Sequence, residues 1–178
     1  MTDSLSIPEI NLEFYRGDTA VKNILLSTTV GTIVATAGSA TVTVSESDEL
    51  AVGYNLYDSN GVLIGTVASV GSGTATLQSN VTTSYTGVLK VGIGWEAAIE
   101  DAVSQFVRVG TNDPVLSLTL ASGLTFNDDW LEMDFTSLLT SIRADRYSGD
   151  LRVELLDGSI QTLITFNVVT FIKNRSSF

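Results

Sequence analysis

Carboxylates are the residues in this chain whose type and spacing could do chemistry. Glu96, Glu100 and Asp101 form one group; Asp128, Asp129, Glu132 and Asp134 form another. Two carboxyls roughly 5 Å apart are the machinery of a retaining glycosidase, and a wider gap suits an inverting one. On an alternating strand, Glu132 and Asp134 share a face and can come near each other. That is the case for a glycan depolymerase. A solvated strand face explains the same residues without chemistry, and it is the expectation here.

Other chemistries lack parts. Histidine is absent, which removes the commonest general base and the commonest metal ligand. Cysteine is absent too, so disulfides and thiolate metal sites are excluded and the compartment is left open. A Ser–Lys pair would have to draw on Lys22, Lys90 or Lys173, none of them in a recognisable motif. Asp48-Glu49-Leu50 and Asp58-Ser59-Asn60 are acidic enough to suggest calcium. Asp58, however, lacks the later ligands of an EF-hand loop, and Ser69 stands where the bidentate Glu belongs. Arg16-Gly17-Asp18 spells the integrin tripeptide at a point where a turn is required, and the turn is the reading adopted. Tyr54, Tyr57 and Tyr85 are aromatic candidates for sugar binding, two of which serve equally well as core. No catalytic, cofactor-binding or metal-binding residue is expected, and no cofactor.

The elements that would position such groups read almost entirely as strands. With 178 residues and 44% hydrophobic content, the chain can bury a core as one domain, or as one domain with a small insert. The clearest signal is the hairpin over 144–169. Leu151, Val153 and Leu155 face one way, and Asp150, Arg152 and Glu154 the other; Asp157-Gly158 reads as a two-residue turn. Toward the N-terminus, residues 9–16 and 20–27 alternate as strands around the Gly17-Asp18 turn. From Thr32 the composition shifts to Gly, Thr, Ser, Val and Ala with little charge. Short strands are expected at 32–36, 40–44, 54–57, 62–70, 74–77 and 88–91, with Asn60-Gly61 as a second two-residue turn. Such a series suits a small barrel or a small sandwich. Residues 95–102 fit helix or strand, and strand is preferred because both flanks are β. A continuation at 106–109, strands at 115–120 and 130–135, and a short helix at 136–142 capped by Thr136 complete the reading.

The formal net charge is −11. Phosphate backbones need Lys and Arg to displace counterions, so nucleic acid is not an expected partner, nor is an anionic membrane. Negative charge instead keeps a β-rich protein soluble. No apolar run approaches the ~18 residues of a membrane helix. The opening MTDSLSIPEI has neither a basic start nor an apolar h-region, so no signal peptide is expected and folding in the cytosol is.

The two ends of the chain together resemble a known family. Glu13-Phe14-Tyr15-Arg16-Gly17-Asp18-Thr19 resembles the opening of the N-terminal β-sandwich domain of baseplate upper proteins and tail fibres of tailed phages. Residues 95–101, 115–120, 130–135 and 138–142 are similar to its central strand and its strand, strand, short-helix order. Ala144 to Tyr147, Asp150 to Leu155, Asp157-Gly158 and Thr165 to Val168 resemble its close. Residues 31–92 depart from that pattern and resemble a different small β-domain common in phage structural proteins.

The resemblance implies an all-β fold: an Ig-like or jelly-roll-like β-sandwich, discontinuous over 9–30 and 93–172, with an inserted small β-barrel or sandwich at 31–92 and one short helix. An N-terminal arm (1–8) and a C-terminal tail (173–178) flank it. It brings no catalytic residues. It implies a non-enzymatic structural component of a tailed-phage virion, assembled in the cytoplasm of an infected bacterium. The role would be a tail, baseplate or fibre module whose partners are other virion proteins and further copies of itself. A capsid decoration protein is the alternative, and a host-glycan-binding or depolymerase module a second one. Homo-oligomerisation is also expected on physical grounds, because few lysines or prolines are placed to blunt sandwich edges.

Overall fold

The computed structural model describes residues 9–15, 21–111, 114–135 and 145–172, with side chains over 21–111, 117–135 and 145–167. In chain order the strands are β1 (Glu9–Tyr15), β2 (Val21–Leu25), β3 (Thr28–Ala35), β4 (Thr41–Val44), β5 (Asn55–Tyr57), β6 (Leu63–Gly71), β7 (Thr74–Leu77) and β8 (Tyr85–Gly92). After a one-turn helix α1 (Trp95–Ala98) come β9 (Ile99–Arg108), β10 (Pro114–Thr119), β11 (Leu124–Asn127), β12 (Trp130–Asp134), β13 (Arg146–Leu155) and β14 (Ile160–Ile172). The fold is all-β. The expected helix at 136–142, the Arg16-Gly17-Asp18 tripeptide, the 1–8 arm and the 173–178 tail lie outside the described residues.

The chain divides into two compact units: Leu25–Ala97, and a discontinuous unit of Met1–Ile24 with Ala98–Phe178. The first is a closed barrel in the order β3-β4-β7-β6-β5-β8, with β8 returning to pair with β3. Sequence alone left barrel and sandwich open for this segment. Strands this short cannot bury a core singly. Alternation sends Ile33, Ala35, Val42, Val44, Leu56, Val67, Ala75, Leu77, Leu89 and Val91 inward, where they form one cluster with Leu50 and Val81. Gly65 lies against that filling: a Cβ there would lie 2.8 Å from Leu77 Cδ1 and would make the Leu77 side chain shift. The barrel starts at Thr28, ahead of the expected boundary at 31. Gly31 does not end a strand. It has φ 55° and sits inside β3, where the register with β8 shifts between Thr29 and Thr32, as at a β-bulge.

The second unit contains two sheets. One has the order β1-β14-β13-β9-β10, the other β11-β12-β2. β1 runs parallel to β14, from Glu9 opposite Thr165 to Tyr15 opposite Ile172, so the first and last described strands are neighbours. The other described pairs are antiparallel. Between the sheets lies an apolar core. Phe106 of β9 meets Phe135 edge-on at 5.5 Å between ring centroids and Phe166 of β14 at 5.1 Å. Leu124, Phe126, Leu131 and Met133 come from the smaller sheet; Tyr147, Leu151, Val153 and Ile164 come from the larger.

Three local expectations are corrected. Residues 95–98 form a helical turn, not strand: Gly94 takes φ 75° and its carbonyl accepts the Ala97 N–H at 3.1 Å. Trp95 is buried there and Ala97 exposed, whereas a strand would put the two on one face. β11 was not foreseen, because its four residues directly follow Gly123, which reads as a turn. Neither hairpin turn is of the two-residue kind. The Asn60-Gly61 and Asp157-Gly158 turns each close around a three-residue loop with only the glycine at positive φ, 82° and 78°. Asp58 N donates to Val62 O and Gly61 N to Asp58 O; Leu155 N donates to Ser159 O and Gly158 N to Leu155 O. That is a type I turn followed by a left-handed residue, which gives the same reversal with one more residue.

Candidate functional site

The carboxylates are placed by strand geometry and turn chemistry, and the register sets Asp101 of β9 opposite Glu154 of β13. Glu132 and Asp134 share the outward face of β12 with Trp130, opposite the buried Leu131 and Met133. Both project from one strand on one side. Asp128 and Asp129 form the β11–β12 turn, Asp128 at φ 52° and Asp129 fully buried. Glu96 and Glu100 are exposed on α1 and β9. Asp101 Oδ1 accepts the Ala102 N–H at 2.8 Å. Among the described residues, no group of three or more His, Cys, Asp or Glu could hold a metal.

The calcium candidates act as turn formers. Asp58 Oδ1 accepts the N–H groups of Asn60 and Val62, both at 2.8 Å. Asp48 and Glu49 lie in a 3-10 turn (Ser47–Glu49) whose buried Ser47 Oγ accepts Gly73 N at 3.1 Å. The tyrosines do not form an exposed platform. Tyr57 is buried in the barrel wall; Tyr54 and Tyr85 are half-buried against its core. The Tyr85 hydroxyl donates to Val88 O at 2.9 Å and accepts from Ser59 N at 3.1 Å, pinning the β5–β6 turn to β8.

A shallow groove of about 330 Å³ lies on the outward face of β9, β13 and β14. Gln105, Ser148, Asp150, Arg152, Thr165 and Asn167 line it, over Gly149. Its acid is already answered: Asp150 Oδ2 accepts from Arg152 Nη2 at 2.7 Å and Nε at 3.0 Å. The groove offers hydrogen bonds and an internally compensated charge, with no nucleophile–base pair.

What the larger sheet presents most openly is its edges. Among the described residues, β10 has β9 on one side and no strand on the other, and β1 is the opposite edge, beside β14. β11 and β2 are the edges of the smaller sheet. An edge strand carries unpaired N–H and C=O groups and can be extended by another chain. No helix among the described residues is long and apolar enough to cross a membrane.

No protein-family model, curated protein or solved structure matches the chain.

Proposed function

We propose that this chain is a non-enzymatic structural component of a tailed-phage virion, an assembly or adaptor module of the tail, baseplate or fibre that acts through its β-surfaces. The observation that carries the reading is the edge at β10, six residues long and paired only with β9 among the described residues. A partner strand laid along it gains main-chain hydrogen bonds without any catalytic apparatus. Three further features support it: carboxylates spent on turns, an ion pair and a solvated strand face, an acidic chain unsuited to nucleic acid or anionic lipid, and the likeness of both chain ends to phage baseplate and fibre domains. The partners are other virion proteins and further copies of this chain.

Cryo-electron microscopy of the intact particle, with a count of copies, tests this. A few to dozens of copies on the tail or baseplate is the expected result. Hundreds of copies on the head would replace it with a capsid-decoration role. Absence from the particle would overturn both. On isolated protein, release of reducing ends from host polysaccharide would overturn the non-enzymatic assignment.

A further inference from the structure

A net of hydrogen bonds holds the β5–β6 turn of the barrel. Asp58 N donates to Val62 O at 2.9 Å, and Gly61 N to Asp58 O at 3.1 Å. The Asp58 carboxylate accepts the N–H groups of Asn60 and Val62. Strand β8 clamps Ser59 twice. The Ser59 N–H donates to the Tyr85 hydroxyl at 3.1 Å, and the Ser59 carbonyl accepts from Lys90 Nζ at 2.8 Å. The Tyr85 hydroxyl is itself fixed by donating to Val88 O at 2.9 Å. At the centre of this net Asn60 is exposed, and Gly61 follows it.

That dipeptide has a chemistry of its own. Asn60 is the one asparagine of the chain that glycine follows; leucine, isoleucine, valine, aspartate or arginine follows the others. An asparagine side chain is open to attack by the main-chain nitrogen of the next residue. That amide gives its proton to hydroxide and bonds to Cγ. The Cγ–Nδ2 bond breaks, ammonia leaves with a proton taken from water, and a cyclic succinimide remains. Water then opens the ring at one carbonyl or the other, giving aspartate or isoaspartate. Water is the only reagent consumed, and nothing is oxidised or reduced. A side chain on the attacking residue crowds its nitrogen and stiffens its backbone, and glycine has none. The closed turn holds the attack off. The third residue of a type I turn keeps ψ at about 0°, which aims the next N–H back across the turn. Gly61 N is accordingly bound to Asp58 O, and closure on Cγ requires that bond to break.

We infer that Asn60-Gly61 is a site of slow self-modification, and that Tyr85 and Lys90 of β8 set its rate by holding the turn shut. Both are positioning residues, acting through Ser59. Turns open and close far faster than succinimide forms, so the rate follows the fraction of chains in which the turn is open. Conversion runs one way. It adds a carboxylate to a chain that already carries −11. Isoaspartate also inserts an extra carbon into the main chain, inside a loop closed between Asp58 N and Val62 O. The net cannot re-form unchanged around it. The inference is independent of the virion role.

Incubation of the full chain, folded and in urea, in the same warm and mildly alkaline buffer tests it. Peptide mapping by mass spectrometry locates the conversion, and enzymatic methylation counts isoaspartate. Asn60 is expected to convert ahead of every other asparagine, at least about tenfold more slowly in the folded chain than in urea. Tyr85→Phe takes the hydroxyl from Ser59 N and Val88 O. It should speed the folded reaction by about two- to tenfold, the worth of a hydrogen bond in an opening equilibrium. Lys90→Met should act in the same direction, and it carries the test should Tyr85→Phe unfold. Val42→Ala, in the core on β4 and across the ring of strands from β5, should leave the folded rate unchanged. Asn60→Gln should remove the product at this position. Conversion no slower folded than in urea, none at Asn60 in the folded chain, or faster conversion of another asparagine each overturns the inference. So does a Val42→Ala chain that reacts as fast as Tyr85→Phe, since the barrel as a whole would then be the gate.

Discussion

The two units solve the same problem, how to end a sheet, in opposite ways. The barrel joins its last strand to its first, and the outward residues of β8, β3, β4 and β7 are mostly threonine and valine, with Lys90 of β8 among them. Among the described residues, the two-sheet unit leaves β1, β10, β11 and β2 as edges, and places Asp101, Gln105, Asp150, Arg152 and Glu154 on outward positions of the larger sheet. An open sheet has main-chain groups to offer and can tolerate charge on its faces. A closed one has only its faces. The chemistry of the outward side chains follows from whether the backbone is already satisfied.

The largest expected effects separate the two cores. Phe106→Ala removes a fully buried ring that touches Phe135 and Phe166, and should cost about 3–5 kcal/mol. Leu89→Ala, fully buried in the barrel, should cost about 2–5 kcal/mol. In scanning calorimetry each variant should lower one transition and leave the other in place. A single transition that both variants shift equally would mean the units do not fold independently.

Next comes a position where a methyl group is too much. A Cβ on Gly149 would lie 2.2 Å from the Gln105 carbonyl oxygen and 2.8 Å from Phe106 Cδ1. Backbone cannot yield as a flexible side chain can. Gly149→Ala should therefore destabilise the two-sheet unit by about 3 kcal/mol, read by urea melts, and open the β13–β9 ladder to amide exchange. Gly158→Ala, where a Cβ meets nothing within 4 Å and only the φ of 78° resists, should cost less. The reverse order would count against the clash.

A smaller effect sharpens how the barrel's ends are held. The Trp95 indole N–H donates to Leu26 O at 3.2 Å, tying the residue after β2 to the turn after β8. Trp95→Phe leaves a buried carbonyl without this donor and should cost about 1–3 kcal/mol, seen in the barrel transition alone.

What sequence could and could not reveal divides along the same physical line. Alternation is local, and it placed Leu131 and Met133 inside with Glu132 outside, and Leu151 and Val153 inside with Arg152 outside. It also set most strand limits within a few residues. Closure is not local: β3 and β8 pair across more than fifty residues, and no short-range pattern distinguishes a ring from a sandwich. Glycine misled twice: at Gly61 and Gly158 it supplied the left-handed residue of a three-residue loop where a two-residue turn was expected, while at Gly31 it marks a bulge within a strand. All three needs look the same in sequence, because each is met by a missing Cβ. As for a site, the sequence offered Glu132 and Asp134 as a candidate pair with a solvated strand face preferred, and Asp58, Asp101 and Asp150 turn out to accept local hydrogen bonds.

The smallest effect concerns the tip of the β13–β14 hairpin, where a carboxylate does what the backbone alone cannot. Asp157 Oδ1 accepts the Ser159 N–H at 2.8 Å. Hydrogen bonding from the Ser159 side chain first, and from its backbone second, holds the Asp157 carboxyl below its ordinary value of 3.8. A depressed carboxyl stabilises the folded state above the unfolded-state pKa, and that contribution is lost as pH falls through the lower folded value. The melting temperature of wild type should therefore exceed that of Asp157→Asn by a small, constant margin above pH ~5, and the two should converge toward pH 3 and below. A carboxyl titration by NMR should put the Asp157 midpoint below 3.8. A midpoint at or above that value, or a gap that widens in acid, would mean the loop is held by its glycine and main-chain hydrogen bonds alone.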